Sequence, residues 1–597
     1  MSGIVGLWHL DDSPCDRNPS SPFFEMMAAL RHRGSDARGT RIAGSMAFGC
    51  HQRWSTPEEI GERQPLVGAM GVLLVMDGRI DNRQEIIAAL GQTNDASDAA
   101  CALAAYESWG DRFVERIQGS FALAVFDPVK RRLILARDAV GLRPLYYWTN
   151  GRLALFASEI KAILAHPEVT AAPNEDLVAD CLLLDQLPYH DDGASFFAGI
   201  WRVLPGHIVC MTPSRTYTRR YWDFDPTART RHRTYDDYVA QFRELLMAAV
   251  KRLTRSAYPI AVAVSGGLDS ACVLSVAAHL QRSGAFAAPL LPISYTPLDD
   301  PTSEENRFIA LMERRLELPI KRVIPGSGGI DERLDNLWHA ELPWFDPHWC
   351  HERSLFSYAS ERRVRVALSG LWSDQVFLAL GYLVDLFTHF SWKEIVGHLR
   401  EYPNWFLDVD PAYFRSRFYR ELLLNLTPGP VRARIQPLRT MARAPRPRGW
   451  ASRELKRRAR RWRPAVRHPA YGSAHARNIY QFVHRLSHQL QIEADEKIAA
   501  RFGIERALPF LDRDVVSYLM SIPGEIQTRD GVPRALLRDA MRGLVPDPIL
   551  ARRWRDDLGP GDPMMQDAAE RGALESWSRL FFSDKLARPL LERVASS

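Results

Sequence analysis

The 597-residue sequence contains no CxxC pair, and its seven cysteines are scattered at 15, 50, 101, 181, 210, 272 and 350. An odd, dispersed set excludes a disulfide framework or a zinc ribbon and fits a reducing cytoplasm. No run of about 18 apolar residues occurs, so no membrane span is expected. The first residues, MSGIVGLWHLDD, lack a basic segment before an apolar core, so no secretory signal is expected. The Walker-type loop GxxxxGK[ST] is missing. No nucleic-acid recognition motif accompanies the basic residues, which argues against a nucleic-acid partner. The remaining composition, 46% hydrophobic and 25% charged, is that of a soluble globular protein. The length calls for more than one core.

The net charge of +6 is unevenly placed. Arginines crowd the stretch from Arg432 to Arg467, broken by Pro445, Pro447 and Pro464. This segment, about 428–470, reads as a solvated insertion or as a cradle for an acidic peptide or partner.

Residues 1–210 read as β-rich. Short apolar runs such as MGVLLVMDG, FALAVFD and RLILARD are separated by turn residues, with helical patterns between them. Residues 211–234 are polar and Pro-interrupted, and are expected to be a linker. From 235 to 597 strands alternate with helices, which implies a doubly wound parallel sheet. Ligands on such sheets sit at the carboxyl ends of the strands.

Two motifs fall at such ends. IAVAV-SGGLDS joins a buried strand to a helix start through Gly266 and Gly267. The glycines let the backbone approach a phosphate, and the helix N-terminus offers free N–H groups to it. Ser265 and Ser270 add hydroxyls. Asp269 repels a phosphate unless Mg²⁺ lies between them. The second motif, ALSGLWSDQVFLALGY at 367–382, places Asp374 after another strand. For Asp374 alone, a helix cap is the plain alternative.

The first motif resembles the pyrophosphatase loop of the ATP-pyrophosphatase superfamily, which adenylates its substrate and releases pyrophosphate. The second resembles the SGEGSDE motif of asparagine synthetases. This resemblance implies ATP contacts at Ser265, Gly266, Gly267, Leu268, Asp269, Ser270, Ile293, Ser369 and Gly370, and Mg²⁺ held by Asp269 and Asp374. GVPRALLRDAM at 531–541 resembles a family stretch in which Arg534 stands at a lysine position. RWRDDLG, from Arg553, resembles a segment in which Arg555 replaces a charge-stabilising lysine, with Arg552 and Arg553 as alternatives if the register slips. SGIVGLW, ALRHRGSDARG, VMDGRIDN and RDAVGLRPLYY are similar to the glutamine-amidotransferase half of the same family. The implied fold is an α+β N-terminal nucleophile-hydrolase-like domain followed by an α/β ATP-pyrophosphatase synthetase domain.

Three departures from the family pattern stand out. The N-terminal nucleophile is cysteine in these glutaminases, and position 2 is Ser. The family's NGE triplet reads Asp77-Gly78-Arg79. A carboxylate in an oxyanion hole repels the developing charge, and an arginine has the wrong sign to hold an ammonium group. An inactive glutaminase domain is expected. In the synthetase half the motif's glutamate is Leu371, followed by Trp372, which suggests a larger substrate than ammonia. Ring-closing relatives with these losses include β-lactam synthetases and lasso-peptide cyclases. Length and the Arg-rich insertion look most like the cyclases. The implied reaction adenylates an Asp or Glu side chain of a core peptide and closes an isopeptide macrolactam with the peptide's N-terminal amine. A leader peptidase and a leader-recognition protein are the implied partners. Trp344, Phe345, His348 and Trp372 are candidate cavity-wall residues, with plain core aromatics an equal reading for each, and Tyr382, Asp385 and Glu401 are candidate bases to which the sequence does not commit.

Overall fold

The computed structural model describes residues 1–183, 192–295, 303–324, 326, 329–344, 346, 348–377, 380–406, 410–427 and 470–553. The expected Arg-rich insertion and Arg555 lie outside the described residues.

The first unit is a sandwich of two antiparallel six-stranded sheets. One sheet contains β1 (Gly3–His9), β2 (Ala37–Ala43), β3 (Met46–Gln52), β8 (Tyr146–Thr149), β9 (Leu153–Ala157) and β10 (Trp201–Arg202), in the order β10-β8-β9-β1-β3-β2. The other contains β4 (Leu66–Val67), β5 (Leu73–Gly78), β6 (Phe121–Asp127), β7 (Arg132–Arg137), β11 (His207–Thr212) and β12 (Arg215–Arg220), in the order β12-β11-β7-β6-β5-β4. The run FALAVFD is continuously apolar because both of its faces are covered. Ala122, Ala124 and Phe126 enter the core between the sheets, and Phe121, Leu123 and Val125 enter the core beneath the helix Asp98–Trp109.

The expected linker 211–234 is corrected by this topology. Its first part completes β11 and turns into β12, which pairs along the edge of the second sheet. β12 is almost wholly exposed and carries RTYTRR, so no apolar alternation marked it.

The second unit is a five-stranded parallel sheet. β13 (Ile260–Ala263), β14 (Leu290–Ser294), β15 (Lys321–Arg322), β16 (Val366–Leu368) and β17 (Glu505–Ala507) run in the order β15-β14-β13-β16-β17. Helices pack on both faces. Ile260 and Val262 face one apolar cluster and Ala261 faces another. The helices used below are α1 (Tyr235–Leu253), α2 (Leu268–Arg282), α3 (Ile330–Ala340), α4 (His348–Glu361), α5 (Ala474–Val483), α6 (Leu486–Arg501) and α7 (Ala535–Ala540). Thr234 caps α1 in a reciprocal box with Asp237.

Buried ion pairs join the two units. Arg137 meets Glu493 of α6 at 2.7 Å, and Arg202 meets the same carboxylate at 3.2 Å. Arg143 pairs with Glu496 and, at 2.6 Å, with Glu505 of β17. Glu341, just past α3, accepts the N–H groups of Ile160 and Lys161 and pairs with Lys161 and Lys497. Despite burial, Arg137, Arg202 and Lys497 hold the Glu493 carboxyl down at about 2. Such pairs stay charged inside a protein only when their partners are in place.

Candidate active site

The parallel sheet delivers two loops to one place. After β13 the chain turns through Ser265, Gly266 and Gly267 into α2. Gly266 has φ of 75°, and a Cβ there would lie 2.8 Å from the Glu305 carbonyl oxygen, so the turn requires glycine. Gly267 caps α2 with no side-chain hydrogen bond, which leaves the first-turn N–H groups of the helix free for an anion. Ser270 Oγ accepts from the Ser265 N–H and lies 3.2 Å from Ser265 Oγ, which fixes the turn.

The second loop follows β16. The Ser369 N–H donates to the Ala507 carbonyl at 3.0 Å, extending the pairing of β16 with β17. A Cβ on Gly370 would lie 2.7 Å from Asp269 C and Ser270 N. Glycine at 370 therefore lets the two loops touch. Ser373 Oγ donates to Asp269 Oδ1 at 2.7 Å. Arg534 Nη1 lies 2.5 Å from Asp269 Oδ2 and 2.7 Å from Asp374 Oδ1. Lost solvation pushes the Asp374 carboxyl up to about 8. The Arg534 guanidinium opposes this, and the Asp269 carboxylate adds to it. Two carboxylates from separate strand ends thus share one cationic atom. Hard oxygen donors meeting at a point suit Mg²⁺, so these residues fit the implied ion, with Arg534 holding the pair together as an internal counter-cation.

Arg534 has φ of 57° and is buried where α7 begins. Behind it, Arg538 donates to the Pro533 and Arg552 carbonyls, at 2.9 and 3.1 Å, and to that of Leu550. Arg552 Nη1 then reaches the Gly266 carbonyl at 3.0 Å. Of the alternatives to Arg555, Arg552 meets the phosphate turn and Arg553 is exposed. Ser373 and Arg538 were not singled out in the sequence, because a serine and a second arginine in α7 carry no motif of their own.

Several expectations need correction. Ile293 is fully buried in the core, and its carbonyl accepts the Val264 N–H, so it does not line the cleft. Tyr295, two residues on, stands at that strand end. The Leu268 side chain is also core, which leaves only its backbone at the turn. Trp372 is buried against Phe482 and His488, and Trp344 packs edge-on to Phe196. Both are largely packed, and Trp372 borders a small cavity with Asp495 and Arg506. His348 is partly exposed beside Tyr295, and Phe345 lies outside the described residues. The candidate bases have structural places. Tyr382 is fully buried, Asp385 accepts the N–H groups of Ala474 and His475 at the start of α5, and Glu401 is a surface partner of Arg400.

In the first unit, the Asp77 carboxylate accepts the Ser2 N–H at 2.8 Å and pairs with Arg33 at 3.0 Å. Arg79 is buried and extends out of its own unit. It donates to the Arg252 carbonyl at 2.5 Å and lies 3.5 Å from that of Leu253, both in the last turn of α1. A guanidinium there satisfies free carbonyls and the negative helix end. Nearby, His32, Glu159 and His339 are spaced for a metal. But Glu159 is already held by Arg33 and Lys161, which makes this an ion-pair lock.

A glycine turn, a carboxylate pair and convergent arginines at the carboxyl ends of a parallel sheet define an ATP-pyrophosphatase unit, here behind an N-terminal nucleophile-type amidotransferase domain. Family models agree. A glutamine amidotransferase domain matches residues 1–222, and asparagine synthase matches residues 241–594. The chain belongs to the asparagine synthase family of ATP-dependent amide-forming enzymes. It is 25% identical to asparagine synthetase (glutamine-hydrolysing) 3 of Bacillus subtilis, over 88% of this chain and 82% of that protein. It is 29% identical to asparagine synthetase 2 of the same organism, over 63% of this chain and 52% of that one. It is 28% identical to amidase chry2 of Gibberella zeae, over 58% of this chain and 54% of that one. The chain spans about half the length of the last two. Among the described residues no helix is long and apolar enough to cross a membrane.

Proposed function

We propose that this protein spends ATP to activate a side-chain carboxylate of a peptide as an acyl-adenylate, and joins it to the peptide's own N-terminal amine as an isopeptide macrolactam. AMP and pyrophosphate leave. The observation that carries the reading is the pairing of an intact adenylation site with an N-terminal domain whose substrate-binding positions hold Asp77 and Arg79. A domain with those side chains is ill-suited to bind glutamine or to stabilise an oxyanion, so an amine from another source is called for. Mg²⁺ held by Asp269 and Asp374 would screen the pyrophosphate charge as it departs. Gly266, Gly267 and the first turn of α2 bind phosphate, and Arg534 and Arg552 offset the charge that grows on it. Holding the amine against the activated carbon supplies much of the acceleration. A leader peptidase and a leader-recognition protein, working with this chain in the cytoplasm, complete the proposal.

A second reading, a small-molecule amide synthetase, is favoured by the burial of Trp372, which leaves less open wall than a threaded peptide needs. Pyrophosphate release separates the two readings. A peptide with a free N-terminal Gly and an internal Asp or Glu should stimulate release and lose one water in mass. Release with aspartate and ammonium, and none with peptide, overturns the peptide assignment.

A further inference from the structure

Arg538 lies buried on α7, four residues after Arg534. Buried charges are normally paired, yet among the described residues Arg538 forms no ion pair. Its hydrogen-bond partners are the carbonyls of Pro533, Leu550 and Arg552. Its remaining partner is an aromatic face. The guanidinium carbon lies 4.5 Å from the centroid of the half-buried Trp405 ring, within the roughly 6 Å over which an indole attracts a cation.

These contacts make Arg538 a junction. The Pro533 carbonyl belongs to the segment that enters Arg534. The Arg552 carbonyl belongs to the residue whose Nη1 holds the Gly266 carbonyl at 3.0 Å. One guanidinium thus fixes both arginines that converge on the glycine turn. It does so against repulsion. Burial, and next the Arg534 charge, pull the Arg538 guanidinium down to about 10. With no carboxylate against it, the group needs an opposing face to keep it from turning away.

Trp405 is placed by its own element to supply that face. It ends the turn Tyr402–Trp405, which follows the helix Trp392–Glu401. It packs against the apolar cluster of Tyr382, Tyr402 and Phe414. The same element seats the residues before Arg534. Gly531 has φ of 76°, and a Cβ there would lie 2.8 Å from Glu401 Cβ and 3.2 Å from Tyr402 N. Residues 401–405 are therefore a shelf under both sides of Arg534.

We propose that Trp405 is a positioning residue for the adenylation site. Its ring holds Arg538 against the like charge of Arg534, and through Arg538 it sets Arg534 and Arg552 at the glycine turn. The proposal rests on the adenylation reading above. Two substitutions separate the ring from its packing. Trp405→Phe keeps a π face, and Trp405→Leu keeps apolar volume without one.

Inorganic pyrophosphate with Mg²⁺ is the probe, titrated by calorimetry into the full-length chain, so that no choice of carboxylate substrate enters. Thermal unfolding is recorded for each variant. Trp405→Leu should weaken binding about tenfold, within the range of cation–π contacts, and Trp405→Phe should stay within about threefold of wild type. In an Arg538→Met background, Trp405→Leu should add less than about twofold, because the ring has nothing left to hold. Wild-type affinity in Trp405→Leu overturns the assignment. So does a loss that Trp405→Phe shares in full, or one of equal size in both backgrounds, since each makes the ring mere packing. Should Arg538→Met fail to fold, the comparison of Phe with Leu decides alone. Wild type that binds no pyrophosphate sinks the adenylation reading, and this role with it.

Discussion

The two units of this chain use buried charge differently. In the synthetase unit, charged side chains converge where two strand-end loops meet, with Asp269 and Asp374 gathered around a single Arg534 atom. In the N-terminal unit, the corresponding charged groups are turned into the fold. Asp77 is consumed by Arg33 and the Ser2 N–H, and Arg79 caps the end of α1. Both regions are rich in buried charge, so burial and charge do not by themselves mark a reaction centre. What separates them is whether the partners leave an unfilled direction. The free N–H groups at α2 do, and the saturated Glu159 does not.

The largest effect should come from the cleft. Asp269→Ala and Asp374→Ala should each cut pyrophosphate release by about 10³-fold, the scale of removing a preorganised charge-stabilising group, with the circular dichroism spectrum unchanged. Full turnover in either variant would end the assignment of the carboxylate pair. Next, Gly370→Ala should push the two loops apart. A displacement near 1 Å costs about 10²-fold in rate, so kcat should fall while the unfolding temperature moves little.

The interdomain pairs should answer in stability instead. Glu493→Gln leaves Arg137 and Arg202 short of a partner and should cost about 3–5 kcal/mol at neutral pH by denaturant titration. The sign follows from the depressed carboxyl. Its stabilisation is complete above the ordinary Glu range and is lost as the pH falls from there through about 2. The gap between wild type and variant should close across that window, and a gap constant with pH would break the electrostatic account. The smallest effect belongs to Ser2→Ala. Ser2 Oγ only accepts the Arg53 N–H at 3.2 Å, so amide formation should stay within about twofold, as for substitutions away from special features. A collapse of product would return chemistry to the N-terminal unit.

The sequence revealed the strand–turn–helix around Gly266 because its geometry is local. A strand, two glycines and a helix start occupy consecutive residues, and Ser265 to Ser270 form the turn and the first residues of α2. Asp374 and Arg534 were legible through motif resemblance. The strand β12 was not, since an exposed edge carries no apolar rhythm. Nor was the cluster of Glu352, Asp495 and Arg506, whose members come from α4, α6 and β17 and meet only after the sheet forms. For Trp372 residue type left wall and core both open, because only the fold shows which way the loop turns it, against Phe482 and His488. The three candidate bases shared this flaw: being polar and nearby in sequence says nothing about whether a backbone N–H has already claimed the group, as at Asp385.

Glu505 and Arg506 are neighbours on one short strand, so their side chains leave it on opposite faces. One carboxylate is neutralised from outside its unit by Arg143, and the other side chain gathers Glu352 and Asp495. Inheritance follows from this arrangement. A gene that deleted the N-terminal half would strand Glu493, Glu496 and Glu505 inside the remainder without their arginines, so the first domain is bound to the second by charge, whatever chemistry it does.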